Sequence, residues 1–278
     1  MIDLDRVKDF RVLLVGDGIT DEYRYVRPRG KAIKAHALSV EHLSTETFHG
    51  GVWAGAEHVR ALCKVVDVVT GPNVMRNLYY VENVYHQKLF QVHRQHEEVE
   101  EPKAVDVRSY DLVIVTDFGH GAMTADLIAR LTKEARFLAV NAQTNSMNYG
   151  FNLITKYQRA DFVVVDELEA RLAAHDKDSP IEDVILKLGY RNIIVTRGAY
   201  GAVGFDGAFE RQNALTDKVV DTIGAGDAFL CMSAPFAAAG VPMKELVRIG
   251  NAAGAIKVGI LGHRKSVDRE SMKAALNV

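Results

Sequence analysis

Val219-Val220-Asp221-Thr222-Ile223-Gly224-Ala225-Gly226-Asp227-Ala228-Phe229 joins a β-branched strand end to a long apolar helix through a Gly-Ala-Gly turn. Glycines at 224 and 226 let backbone N–H groups converge on an anion with no Cβ in the way, and a helix N-terminus adds about half a positive charge. Gly224, Ala225 and Gly226 therefore read as a phosphate cradle. Asp227, in the first turn of that helix, has two readings on spacing alone. It takes the proton from a hydroxyl attacking phosphorus, the general-base role in phosphoryl transfer, or it caps the helix.

Outward from this turn, short apolar runs at 11–15 (closed by Gly16), 65–69, 112–116, 137–140, 162–165 and 192–196 predict buried strands. Stretches of helical period lie between them, at 124–135 and 167–174, and after Asp227 the pattern is helical at 228–239, 243–258 and 268–276. Gly240, followed by Pro242, is expected as a left-handed helix stop. Strands alternating with helices predict a three-layer α/β/α sandwich with a mostly parallel central sheet. Residues 34–48 and 79–92 break the alternation with strand-like patterns and no helix, which predicts a small β lid from about residues 22–49 and 79–95. The acidic run 97–101 before Pro102 is expected to be a solvated loop.

The 278 residues are 48% hydrophobic and 25% charged, a globular composition. A net charge of −2 argues against coating a nucleic acid. Six prolines and no polar linker favour one domain over 1–278. The longest apolar stretch, 229–243, is broken by Ser233, Pro235, Gly240 and Pro242 and falls short of the ~20 residues that span a bilayer. With no secretory pattern at the start and two isolated cysteines, Cys63 and Cys231, read as buried thiols, a reducing cytoplasmic setting is expected.

Asp221 to Asp227 closely resembles the signature of the ribokinase-like (PfkB-type) carbohydrate kinases. The resemblance implies that Asp227 is the base and that the Gly224, Ala225 and Gly226 amides stabilise the transferring phosphoryl group. It extends along nearly the whole chain. Gly16-Asp17-Gly18-Ile19-Thr20-Asp21 looks like the first-strand motif whose carboxylates, here Asp17 and Asp21, hold sugar hydroxyls. Gly50 and Gly51 resemble the glycine pair facing the sugar. Thr196, Gly198, Gly201, Thr222 and Asn251 fall where the family surrounds its nucleotide. Within the family the nearest likeness is to the heptose-7-phosphate kinase module of ADP-heptose synthesis, carried by Asp17, Asp21, Tyr23, residues 116–122 and residues 251–262. What this implies is ATP-dependent phosphorylation of a sugar or phosphosugar, at the anomeric oxygen, with Mg²⁺, a monovalent cation near Asp221, and pairing of lids in a homodimer. Other members of the fold act on nucleosides or unphosphorylated sugars, and a silent sugar or nucleotide sensor is the alternative from another class.

The departures from the family pattern bear on substrate. Asn141-Ala142-Gln143 stands where the module has Asp-Pro-Lys, and Asp166 replaces the Asn of the metal-associated Asn-x-x-Glu, leaving Glu169 in place. The chain between Val69 and Tyr79 is short by a strand-helix unit. Trp53 and His58 follow Gly51 in place of an expected Asn, and either line the sugar pocket or pack their helix. Arg29 and Lys31, with Arg27 and Lys34, form a cluster suited to clamping a sugar phosphate. Gly16-Asp17-Gly18 lacks the third small residue of a dinucleotide fingerprint, since Asp21 occupies that place. His93 and His96 lack the partners of a transition-metal site.

Overall fold

β1 (Arg11–Lys31) is one strand through two regions of the protein, and the computed structural model, which describes residues 2–98 and 105–278, is organised around it. β2 (Leu38–Gly51), α1 (Val52–Arg60), β3 (Val65–Glu82) and β4 (Lys88–Glu98) follow. Then come β5 (Leu112–Asp117), α2 (Ala125–Glu134), β6 (Leu138–Ala142), β7 (Phe162–Asp166), α3 (Glu167–Ala174) and α4 (Ile181–Leu188). β8 (Ile193–Thr196), β9 (Ala202–Phe205), β10 (Phe209–Gln212), α5 (Ala225–Ala238), α6 (Met243–Lys257) and α7 (Arg269–Leu276) complete the chain.

Among the described residues the strands form one sheet in the order β10-β9-β8-β7-β6-β5-β1-β3-β4, with β2 paired to β1. From β8 through β3 all pairings are parallel. The core strands are buried on both faces, and their alternate side chains divide between two clusters. Val12, Leu14, Ile114 and Val164 pack beneath α1, α5, α6 and α7, whereas Leu13, Val15, Val115 and Val165 face α3 and α4. The sandwich expected from the alternation is present, as are most of its helices. Gly240 takes the left-handed conformation (φ +73°) just past α5. α4 is an addition to the sequence expectation, although Ile181, Val184, Ile185 and Leu188 recur at helical spacing. Cys63 and Cys231 are buried free thiols.

Gly16 does not end the first strand. It pairs with Thr70 on one side and Thr116 on the other, and a Cβ there would lie 2.1 Å from the Thr116 carbonyl oxygen. The glycine serves this close approach, and β1 continues for another fifteen residues to Lys31. β3 also runs from the core outward without an intervening helix, which is where the chain is short. The register between the two strands slips once, with Gly16 opposite Thr70 and Gly18 opposite Val74. Beyond this slip β2, β1, β3 and β4 make an overhanging sheet, held on its inner face by Tyr23, Tyr25, Tyr79 and Val81 against Phe48 and Ile223. Residues 99–103 of the acidic run, and the side chain of His96, lie outside the described residues.

Candidate active site

The parallel strands β6, β7 and β8 end beneath the overhang, where residues that follow strand C-termini collect in α/β sheets. A cavity of about 690 Å³ opens there. Gln143, Asp166, Glu169 and Thr196 enter it from the core strands, Asp21, Asn77, Lys88 and His93 from the overhang, and residues 222–227 from the start of α5.

Gly224, at φ +76°, is the N-cap of α5, and no side chain caps that helix. The N–H groups of its first turn are thus left for an anion. Space above Gly226 is open, since a Cβ there would meet nothing within 4 Å. Asp227 is therefore not the cap. It lies at the third helical position, buried, with Oδ1 accepting a 2.6 Å hydrogen bond from Gln143 Nε2. Burial pushes its carboxyl up to about 6, against the pull of His263, the Gln143 hydrogen bond and Lys257. A carboxylate near neutrality is well matched to accepting a hydroxyl proton.

Lining the same cavity, Asp21 Oδ1 accepts from Asn77 Nδ2 at 3.0 Å and Oδ2 lies 3.3 Å from His263 Nε2, a ring that also borders Gly224. Asn77 Oδ1 is in turn 2.8 Å from His93 Nδ1, so Asp21 is oriented from two sides. Gly50 and Gly51 flank it. A Cβ on Gly50 would stand 2.6 Å from Asp21 Oδ2, and Gly51 turns the chain into α1 at φ +59°.

Two sequence expectations are corrected here, and one open alternative is decided. Asp17 does not face the cavity: it is 1% exposed, and its two oxygens accept from the N–H groups of Phe118 and Ala122, so the turn 118–122 covers it. Asp17 fixes that turn, and Phe118 and His120 from it line the cavity. Arg29 and Lys31 are also absent from the site. β1 continues past Asp21 to Lys31, so position 29 lies eight residues, up to about 26 Å, along the strand from Asp21, and Arg29 is paired with Glu41. Trp53 and His58 pack their helix and do not line the pocket. Trp53 meets His49 edge-on and abuts Gly18, and His58 Nδ1 accepts from the Val267 N–H while burial lowers its ring to about 3, keeping it neutral.

Thr196, Gly198, Gly201, Thr222 and Asn251 line one slot of about 320 Å³ beside α5 and α6, together with Ala199, Leu215 and Val258. It shares Thr196, Gly198, Thr222, Ala225 and Gly226 with the main cavity, so a ligand in the slot extends onto the anion-binding turn.

The profile of the pfkB family carbohydrate kinases matches residues 64–269. The chain belongs to this family. Curated relatives of the chain include Bifunctional protein HldE of Hyphomonas neptunium, 30% identical over 175 residues that make up 60% of this chain and 35% of that protein. An ATP-dependent 6-phosphofructokinase of Thermoanaerobacterium thermosaccharolyticum is 37% identical over 89 residues, covering 31% of this chain and 28% of that one. The chain thus spans about a third of the length of these relatives. Its fold matches ribokinase from Thermotoga maritima (TM-score 0.76, 18% identity, 97% of this chain and 100% of that one). It also matches phosphofructokinase-2 from Escherichia coli in complex with potassium (TM-score 0.73, 14% identity, 96% and 98%). Among the described residues no helix is long and apolar enough to cross a membrane.

Asp166 and Glu169 form a reciprocal capping box at the start of α3. Asp166 Oδ1 accepts from the Glu169 N–H at 2.7 Å, and Glu169 Oε2 accepts from the Asp166 N–H at 2.8 Å. Glu169 Oε1 also accepts from Thr144 N, and burial, reinforced by the Asp166 charge, pushes the Glu169 carboxyl up to about 8. Among the described residues no group of three acidic, His or Cys side chains could enclose a metal. Both carboxylates line the cavity, where Mg²⁺ that keeps most of its waters would need few protein ligands.

Several site residues were not legible in the sequence as such. Lys88 lies over the Tyr79 and Tyr23 rings, with its ammonium 3.1 and 3.2 Å from the two Asp221 oxygens. Asp221 also accepts from the Ile223 and Gly262 N–H groups. Burial alone would raise its carboxyl, but these donors and Lys88 hold it below the ordinary range. Asn77, His263 and Lys257 are likewise delivered by tertiary structure. Only Lys257 left a sequence signal, as a lone charge closing the apolar run 252–256.

Proposed function

We propose that this carbohydrate kinase transfers the γ-phosphoryl group of ATP to the anomeric oxygen of a sugar that already carries a phosphate, of the heptose-7-phosphate type. The observation that carries the reading is that Asp21 and Asp227 front one cavity on either side of the open α5 N-terminus. Asp21, held by Asn77 and His263, orients the sugar hydroxyl. Asp227 takes the hydroxyl proton at its carboxylate. The first-turn N–H groups at Gly224 to Gly226 receive the phosphoryl oxygens, and the adjoining slot takes the adenosine end of ATP. Mg²⁺ held through water by Glu169 and Asp166 would supply charge neutralisation at the phosphates.

The phosphosugar is supported by the likeness of residues 116–122 and 251–262 to the heptose kinase module, and by His93, His120 and Ser146 at the far end of the cavity. A second reading, an unphosphorylated sugar or nucleoside, is favoured by the position of Arg29 and Lys31, which leaves Lys88 as the one Lys or Arg among the described cavity-lining residues. A panel of sugars, sugar phosphates and nucleosides assayed by ADP release separates them. Heptose 7-phosphate and related aldose phosphates are expected to give the highest kcat/KM. Preference for an unphosphorylated sugar or a nucleoside would overturn the phosphosugar reading.

Pairing of two copies through the overhanging sheets is part of the same proposal, supported by Leu38, Leu43, Phe90 and Val92 exposed there. Sedimentation should then show a dimer.

A further inference from the structure

Lys257 ends α6 with no exposed surface, and its ammonium donates to the carbonyl oxygens of Ile223, at 3.0 Å, and Gly262, at 2.5 Å. Its stem runs beneath the anion-binding turn, so a Cβ on Gly224 would stand 3.2 Å from Lys257 Cε. A buried ammonium costs several kcal/mol of desolvation unless its environment compensates. Here the compensation comes from two main-chain carbonyls and from the nearby carboxylates of Asp221 and Asp227. Carbonyl oxygens beside carboxylates are also the surroundings that replace the water shell of a small monovalent cation.

The monovalent cation expected beside Asp221 does not fit this arrangement. Both Asp221 oxygens carry Lys88, and each also accepts a backbone N–H, from Ile223 or Gly262. The neighbouring carbonyls of Ile223 and Gly262 carry Lys257. A third cation among these oxygens would be repelled by both ammonium groups.

We propose that the Lys257 ammonium is a built-in cation that stands in for a monovalent metal ion, holding the Ile223–Gly224 peptide against the Gly262 turn so that the anion-binding turn is ordered without K⁺ or Na⁺. Lys257 is thus a positioning residue. Gly262 precedes His263, which reaches Asp21, so the same ammonium ties the phosphoryl end of the cavity to the sugar end. Burial draws the Lys257 ammonium below the usual lysine range, while the Asp221 and Asp227 charges act in the opposite sense.

The inference rests on the kinase reading of the site, and its test does not depend on the identity of the sugar. MgATP affinity, by calorimetry, and thermal unfolding are compared in KCl and in tetramethylammonium chloride, whose cation is too large to enter, for the full chain and for Lys257→Met. The unaltered protein should bind MgATP equally in both salts, to within about twofold. Lys257→Met should bind about tenfold more weakly in tetramethylammonium, the equivalent of one charge-assisted hydrogen bond to the turn. Added K⁺ or NH₄⁺ should restore that loss and raise the melting temperature of the variant alone. Activation of the unaltered protein by K⁺, a Lys257→Met protein that binds normally in tetramethylammonium, or a folded variant that no cation rescues would each overturn the proposal. Failure of every sugar in the substrate panel would leave these measurements unaffected.

Discussion

Gln143 Nε2 donates a 2.6 Å hydrogen bond to Asp227 Oδ1, a neutral amide contacting the carboxylate that fronts the open end of α5. A lysine at this position would bring a full positive charge to the same oxygen and lower its basicity. The amide leaves burial dominant, and Asp227 stays near 6. Turnover should therefore fall as pH drops through about 6, because the protonated carboxyl no longer accepts a proton. Gln143→Leu, which deletes the donor, should move this acid limb to higher pH, and Gln143→Lys should move it lower. Profiles of kcat/KM against pH for the three proteins test the order; coincident limbs would remove Asp227 as the titrating group.

Asp227→Asn should separate catalysis from stability. Loss of the base should cost roughly 10²–10⁴ in kcat with MgATP binding retained. Because the folded carboxyl titrates near 6 and its ordinary value is 3.8, ionising it opposes folding, with the penalty absent below about pH 4 and complete above about pH 6. The variant should then be more stable than the parent near pH 7.5, by up to about 3 kcal/mol, and the difference should vanish near pH 4. Denaturant titrations at both pH values measure it, and a variant less stable at the higher pH would contradict the assignment.

Asn77→Leu removes one orienting contact to Asp21 and the link to His93 while leaving the nucleotide slot intact. KM for the sugar should rise about tenfold or more, the loss of a hydrogen bond to a charged group, with MgATP affinity unchanged. A parallel loss of nucleotide binding would show that Asn77 supports the whole site instead.

Gly50→Ala places a methyl 2.6 Å from Asp21 Oδ2 and 3.2 Å from His263 Nε2. Neither side chain can withdraw without breaking the Asp21–His263 contact, so sugar turnover should drop by at least about tenfold while the melting temperature changes little, the strain falling on two side chains at the cavity edge. Unaltered steady-state kinetics would show that the glycine is not needed for the site.

The residues that carry the chemistry were legible where the chemistry is local. Asp221 to Asp227 holds turn, helix start and proposed base within seven consecutive positions, though no strand leads into them, since Val219 and Val220 are exposed in an irregular segment, and the capping box of Asp166 and Glu169 is a three-residue spacing. What escaped depends on how far a strand runs and what folds over it. Arg29 and Lys31 read as a phosphate clamp because they cluster soon after Asp21 in the sequence, whereas Gly16 does not close the first strand: its missing side chain admits Thr116, and β1 continues past it and carries them away. Asp17 is grouped with Asp21 by the family resemblance, yet the turn 118–122, supplied from a distant part of the chain, closes over it. Lys88, His263 and Lys257 reach the site from three elements far apart in sequence, and nothing in the local pattern of any one of them names the others.

The passage of β1 and β3 from core to overhang without a loop leaves the overhanging sheet no joint of its own. Any change in its tilt has to be taken up as torsion along two paired strands, and the interruption in their ladder, Gly16 to Gly18 against Thr70 to Val74, is where such torsion meets least resistance. Asp21 lies three residues past that interruption. If Asp21 holds the substrate as proposed, capture and the pitch of the roof above it become a single mechanical variable, and a ligand pulling on Asp21 pulls directly on the strand that shelters it.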